Sequence, residues 1–244
     1  MNFHIYEHPA AMSEAAAEWI TAYIEKHLSE KQKFTFLLTG GNTPKDLYSL
    51  LSTERFSKRI DWKKIIFFFG DERFVPYADP RNNGNMVFEL LLKQVPVPVQ
   101  EIHFIQTDID KEESALQYEM LLREHFPGSE KTFDLALAGI GNDGHTLSVF
   151  PGSTTMFEQM RWVVPSEAPE EPVQRITLTP IVVKHSASIL VLAAGKNKAV
   201  ILDKVINGEY NPQIYPGQIF RGESENIHWF TDNDAMELVI KNKL

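Results

Sequence analysis

Four short apolar runs, 34–38, 65–69, 133–138 and 189–194, punctuate this chain, and segments with apolar residues at helical spacing lie between them. Runs of this length, rich in Phe, Ile, Val and Leu, fit strands buried on both faces. Strands that alternate with helices run parallel, because the chain must cross back over the sheet between them. Helical segments are read at 14–28, 44–51, 83–92, 112–125 and 196–206, and further short strands at 102–105, 227–231 and 238–240. The spacing predicts an α/β fold, a mainly parallel sheet with helices on both faces. The sequence shows no linker, low-complexity tract or internal repeat, so residues 1–244 are expected to form a single domain.

Open parallel sheets bind ligands outside the carboxyl ends of their strands, so the residues after each apolar run carry the functional information. Run 133–138 leads into Gly139-Ile140-Gly141-Asn142-Asp143-Gly144-His145-Thr146. Its glycines let the backbone bend sharply and approach a ligand. His145 has a side chain that exchanges a proton near neutral pH, and Asp143, two residues earlier, is close enough to orient it. The plain alternative is a tight turn with a surface histidine. Run 34–38 leads into Thr39-Gly40-Gly41-Asn42-Thr43-Pro44. Pro44 suits the first helical position and Thr43 the N-cap. Gly40 and Gly41 leave backbone N–H groups open where the helix begins, which suits a phosphate. The loop lacks the Lys-Ser/Thr of a Walker loop and the third glycine of a dinucleotide fingerprint; the alternative is a plain capped turn.

Run 65–69 leads into Gly70-Asp71-Glu72-Arg73-Phe74-Val75-Pro76. Charge at a strand end is ordinarily solubilising, but the Arg73 guanidinium matches phosphate and carboxylate oxygens. Run 189–194 leads into Gly195-Lys196-Asn197-Lys198. Lys198 falls in the first turn of the next helix, where a cation opposes the helix dipole, a placement that makes sense beside a bound anion. Lys196 is read as solvated, and Arg175, by sequence alone, as a surface arginine. Glu119, Glu124 and His125 share a helix without a metal-binding pattern, and no metal is predicted.

Composition narrows the partners. The net charge of −9 argues against nucleic acid or an anionic membrane, since both require clustered Lys and Arg. It leaves room for a small anionic ligand held by a few cations. With no cysteine there is no disulfide framework and no thiolate chemistry, which fits a cytoplasmic location. Met1-Asn2-Phe3-His4 lacks the basic start and apolar stretch of a signal peptide. No apolar run approaches the ~20 residues of a bilayer span.

Read together, L-T-G-G-N-T-P at 38–44, G-D-E-R-F-V-P at 70–76, Asn82-Asn83, G-I-G-N-D-G-H-T-L-S-V-F-P-G at 139–152, R-I-T-L-T at 175–179 and G-K-N-K-A at 195–199 resemble the 6-phosphogluconolactonase family. That family lies within the larger group that includes glucosamine-6-phosphate isomerase/deaminase. The motifs occur in family order and span most of the chain. The resemblance implies a modified Rossmann-like sheet and a cytosolic enzyme of the pentose phosphate pathway that hydrolyses 6-phospho-D-glucono-1,5-lactone. It implies His145 and Asp143 as catalytic residues. Gly40, Gly41, Asn42, Thr43, Asp71, Arg73, Asn83, Gly144, Arg175 and Lys198 would bind substrate. The expected partner is a small sugar-phosphate lactone, bound by a monomer or small homo-oligomer without cofactor. The chain departs from the family pattern at Asn42 and Asn82, where Ser is usual, and at Leu147 and Val149; none of these removes a candidate catalytic group.

Two other readings compete. The amino-sugar phosphate isomerase/deaminase carries an acidic residue five positions after its loop histidine, where this chain has Phe150, and tends toward D-E-Y where this chain has Asp71-Glu72-Arg73. Ring opening and proton transfer between C1 and C2 need more acid-base groups than lactone hydrolysis, so both differences favour the lactonase. A non-catalytic sugar-phosphate-binding module of a regulator would normally bring a DNA-binding segment, and no helix-turn-helix-like region precedes Phe34.

Overall fold

Each of the four apolar runs forms a strand. The computed structural model describes residues 1–128, 130–169, 173–222 and 225–242. Its strands are β1 (Asn2–Tyr6), β2 (Phe34–Leu38), β3 (Ile65–Phe69), β4 (Asp71–Arg73), β5 (Ile102–His103), β6 (Leu135–Gly139), β7 (Val163–Glu167), β8 (Gln174–Leu178), β9 (Ile189–Ala193) and β10 (Ile227–Asp232). Its helices are α1 (Pro9–Leu28), α2 (Pro44–Ser52), α3 (Glu54–Ser57), α4 (Asn83–Leu90), α5 (Lys111–His125), α6 (Pro180–Val183), α7 (Ala199–Ile206) and α8 (Asn233–Lys241).

Seven strands form a parallel sheet in the order β1-β10-β9-β6-β2-β3-β5. Successive residues of β2, β6 and β9 are buried. Neighbouring side chains on a strand point to opposite faces, so both faces of the central sheet are covered. Phe34, Phe36, Phe67, Phe68, Trp229 and Phe230 lie at the centre of the core, at 2 % exposure or less. From β2 the chain builds outward through β3 to β5. It then returns to lay β6 on the other side of β2 and builds the opposite way through β9 and β10. The reversal falls between β2 and β6, the position where such sheets open a crevice for ligand. The loops leading from these two strands are those of Gly40-Gly41 and His145.

The remaining strands make a small antiparallel sheet, β4-β8-β7, against which α5 packs. The chain passes from one sheet to the other at Gly70, whose N–H donates to Leu38 O (2.9 Å) and whose carbonyl accepts from Leu178 N (2.8 Å).

Several boundaries differ from the sequence reading. Helix α1 begins at Pro9 rather than at residue 14, with His8 Nδ1 accepting from Ala11 N. The segment 238–240 is not a strand but the last part of α8. Asp232 caps that helix through Ala235 N, and Ala235, Met236 and Val239 form its buried stripe. The strand expected at 102–105 is paired only at 102–103. The helix read at 196–206 starts as a 3₁₀ turn, Lys196–Lys198, before α7. Strands β1, β4, β7 and β8 were not anticipated.

Candidate active site

The loop after β6 is folded around one contact. Asp143 Oδ1 lies 2.5 Å from His145 Nδ1 and also accepts the His145 backbone N–H at 3.1 Å. An ionised carboxylate can only accept, so the ring proton sits on Nδ1 and the Nε2 lone pair points elsewhere. Burial pushes the Asp143 carboxyl up, but the hydrogen bond and charge of His145 outweigh it and hold the group below its ordinary value. Gly141 makes this packing possible, because a Cβ there would stand 2.1 Å from His145 Nδ1. Gly144 turns the chain in the left-handed region (φ +89°), its N–H donating to Gly141 O. Gly141 N in turn donates to His145 O at 2.8 Å. Both glycine N–H groups are therefore engaged inside the loop. The Phe150 ring packs 4.7 Å from the imidazole, centroid to centroid.

The same loop is braced to its neighbours. Leu147 adopts φ +54°, a conformation that strains a residue with a side chain. Its Cδ2 occupies the place a Cβ on Gly70 would take. Ser148 Oγ donates to Asp71 Oδ2 (2.6 Å), and Ser148 N to Thr177 Oγ1 (3.1 Å). From the other side, Gly217 N donates to Gly144 O (2.8 Å) and Gly152 N to Gln213 O (2.7 Å).

Across the crevice, Arg73 Nη1 donates to Asn83 Oδ1 (2.8 Å) and to Arg81 O (2.9 Å). Asn83 Nδ2 donates to Asp71 O (3.0 Å). The Asn83 amide lies directly against Gly40, where a Cβ would meet its Oδ1 at 1.9 Å. Gly41 is left-handed (φ +92°) and Asn42 is exposed. Pro44 opens α2 as expected, but Thr43 does not cap it: Thr43 already has helical angles (φ −57°, ψ −42°) and makes no capping hydrogen bond. Arg73 and Arg175 are direct partners on β4 and β8. Arg175 is 5 % exposed, which corrects its reading as a surface arginine: β8 is the middle strand of the small sheet. Asp71 and Glu72 are buried as well, at 7 % and 2 %, so the charge after β3 is not solubilising.

Lys198 closes the group. Its Nζ donates to Ile140 O at 2.7 Å, inside the His145 loop. Burial lowers its pKa, and the charge of Asp143 works in the opposite direction. The loop of His145, with its orienting carboxylate, is thus tied to Lys198 through Ile140 and to the strand of Arg73 through Ser148 and Asp71. Sequence reasoning did not single out Glu72, Ser148 or the 213–217 segment as contributors. Ser148 alone had a signal, a small polar residue inside the apolar stretch after His145.

Residues 7–229 match the family model described as glucosamine-6-phosphate isomerases/6-phosphogluconolactonase. The chain belongs to the glucosamine-6-phosphate isomerase/6-phosphogluconolactonase family. Within that family it is 35 % identical over 228 residues to a 6-phosphogluconolactonase of Synechocystis sp., covering 92 % of each chain. It superposes on the 6-phosphogluconolactonase structure from Trypanosoma brucei with a TM-score of 0.84 at 27 % identity, covering 97 % of both chains. A monomeric glucosamine-6-phosphate deaminase also shares the fold (TM-score 0.83, 20 % identity, 98 % of this chain and 100 % of that one). In this family member, no helix among the described residues is long and apolar enough to cross a membrane.

Proposed function

We propose that this chain, as a single domain in the cytoplasm, hydrolyses 6-phospho-D-glucono-1,5-lactone to 6-phospho-D-gluconate in the pentose phosphate pathway. The observation that carries the catalytic reading is the 2.5 Å contact between Asp143 and His145 Nδ1. It leaves Nε2 as the base. A water gives a proton to Nε2 while its oxygen bonds to C1 of the lactone. The C1–ring oxygen bond then breaks, and the proton passes from Nε2 to the departing ring oxygen. Asp143 keeps the imidazole in the right tautomer and stabilises its cationic form, the part a carboxylate plays in hydrolytic triads. Gly40, Gly41, Asn42 and Thr43 offer the start of α2 to the phosphate, assisted by Arg73, Asn83, Arg175 and Lys198. Asp71 and Gly144 shape the cleft between them. Holding C1 against the water supplies much of the rate.

The lactonase reading is preferred over the deaminase because Phe150, packed beside the imidazole, stands at the position where the deaminase pattern calls for an acid. One shuttled proton is enough for lactone hydrolysis, whereas isomerisation with loss of ammonia needs further acid-base groups. The deciding experiment is hydrolysis of freshly generated lactone by wild type and His145→Ala, beside an enzyme-free blank that records spontaneous opening. The variant is expected to lose about 10²–10⁴-fold in kcat. Activity kept within a few-fold removes His145 from the mechanism, and no wild-type acceleration over the blank removes the lactonase reading.

A further inference from the structure

Glu72 is 2 % exposed, and among the described residues its carboxylate receives only backbone donors. Oε1 accepts from Arg73 N and Asn83 N, and Oε2 from Gly84 N, each at 2.7 Å. On β4 the side chains of Asp71 and Arg73 leave one face and Glu72 the other, so Glu72 reaches into the first turn of α4. Asn82 Oδ1 caps that helix only through Asn85 N (2.8 Å), and Glu72 takes the N–H groups of Asn83 and Gly84 in the same first turn. A carboxylate in such a place is unfavourable for folding, and burial pushes its pKa up to about 7 in spite of the three hydrogen bonds. What the carboxylate does achieve is registration. It fixes the backbone of Asn83, whose amide holds the Arg73 guanidinium, braces the Asp71 carbonyl and lies against Gly40.

We propose that Glu72 is a positioning residue that sets where the Arg73 guanidinium, the Asn83 amide and the Gly40-Gly41 loop meet the sugar phosphate. This rests on the lactonase reading of the site. It differs from a purely structural role in one respect: the effect of removing Glu72 passes through Arg73 and Asn83.

The test is a pair of double-mutant cycles read as kcat and KM for the lactone, with melting temperatures alongside. Glu72→Gln keeps the shape but sets an amide N–H₂ against backbone N–H donors. It is expected to lower kcat/KM about tenfold or more, with KM carrying most of the change. Adding Glu72→Gln to Arg73→Ala should cost little beyond Arg73→Ala alone. Adding it to Lys198→Met, on the far side of β6, should multiply the two single effects. Kinetics of Glu72→Gln within twofold of wild type overturn the proposal, as does full multiplication with Arg73→Ala. If Glu72→Gln does not fold, Glu72→Asp, which keeps the charge and withdraws it by one methylene, takes its place in both cycles. If wild type does not accelerate lactone opening, the same cycles are read from the affinity for 6-phosphogluconate. Coupling there sustains Glu72 while the catalytic reading fails, and absence of binding overturns both.

Discussion

Gly141→Ala isolates the geometry of the catalytic loop from its chemistry. Gly141 lies outside the left-handed region, so alanine fits its backbone. The added Cβ, however, would stand 2.1 Å from His145 Nδ1, 2.2 Å from Cε1 and 2.7 Å from Asp143 Oδ1. Ordinary contact begins at 3.4 Å, so the imidazole must retreat by about 1.3 Å, taking Nε2 off its line to the water. A misplacement of that size costs about a hundredfold in rate, or roughly 2.7 kcal/mol of transition-state stabilisation. The side chain is 31 % exposed and can swing outward, so the fold should survive with a melting temperature within about 4 °C of wild type. The expected result in the lactone assay is kcat down about a hundredfold with KM changed by less than about threefold. Gly139→Ala, where an added Cβ meets nothing within 4 Å, is the matched control and should behave as wild type. Wild-type kcat in Gly141→Ala would mean that His145 does not act from the position seen here.

Lys198→Met should raise KM for the phosphorylated lactone by about 10–100-fold with kcat nearly kept, the scale of one lost charge-assisted hydrogen bond. An equal rise for unphosphorylated gluconolactone would take Lys198 off the phosphate. Glu72 also predicts a pH effect on stability. Its pKa, raised from 4.5 to about 7 in the folded protein, means that the folded state holds a proton the unfolded state has released between those values. Its contribution therefore falls as pH rises from 4.5 to 7, by on the order of 3 kcal/mol at 1.36 kcal/mol per unit. Denaturant titrations of wild type and Glu72→Gln should show that slope in wild type alone, and parallel curves would count against it. Phe67→Ala, fully buried between Phe36 and Trp62, should cost about 3–5 kcal/mol and roughly 6–20 °C in melting temperature. A drop below about 2 °C would show that the core refills the space.

The legible part of the sequence was the part ruled by burial on both strand faces. β2 and β3 fall where their apolar runs place them because no charged residue interrupts either run, and the one polar residue, Thr35, is paired with Asp134. The small sheet escaped because its strands carry Asp71, Glu72, Arg73, Ser166, Arg175 and Thr177, polar residues paired within the protein rather than with water. For the same reason Arg175 read as a surface residue: its burial depends on β4, which is about a hundred residues away in sequence and makes β8 a middle strand. The 238–240 run misled because a three-residue apolar stretch has no period of its own, and the Asp232 cap that decides for helix lies six residues upstream. At the site, Asp143 and His145 were legible because their contact is local. Arg73 and Lys198 were legible as candidate anion-binding cations one loop at a time, but Arg175 joined them only through the resemblance, since its place depends on strand order.

That dependence explains why the family's motifs extend well beyond groups that can touch a substrate. A histidine base on a loop, as proposed for His145, is useful only if the loop is rigid relative to the proposed phosphate site, and the two lie on opposite sides of the β2–β6 reversal. The bracing is distributed. Ser148 holds Asp71, Leu147 fills the space left by Gly70, Asn83 fills that left by Gly40, and Gly217 and Gln213 hold the far side of the loop. The first three contacts join one strand-end segment to another, and Gly40 and Gly70 have no side chain where the partner's side chain comes close. In such a design the glycines after β2 and β3 belong to the geometry of the proposed site together with His145. A methyl group on Gly40 would push the Asn83 amide by about 1.5 Å, past the distance over which positioned catalysis is lost, whereas one on Gly70 asks about 0.7 Å of the Leu147 side chain.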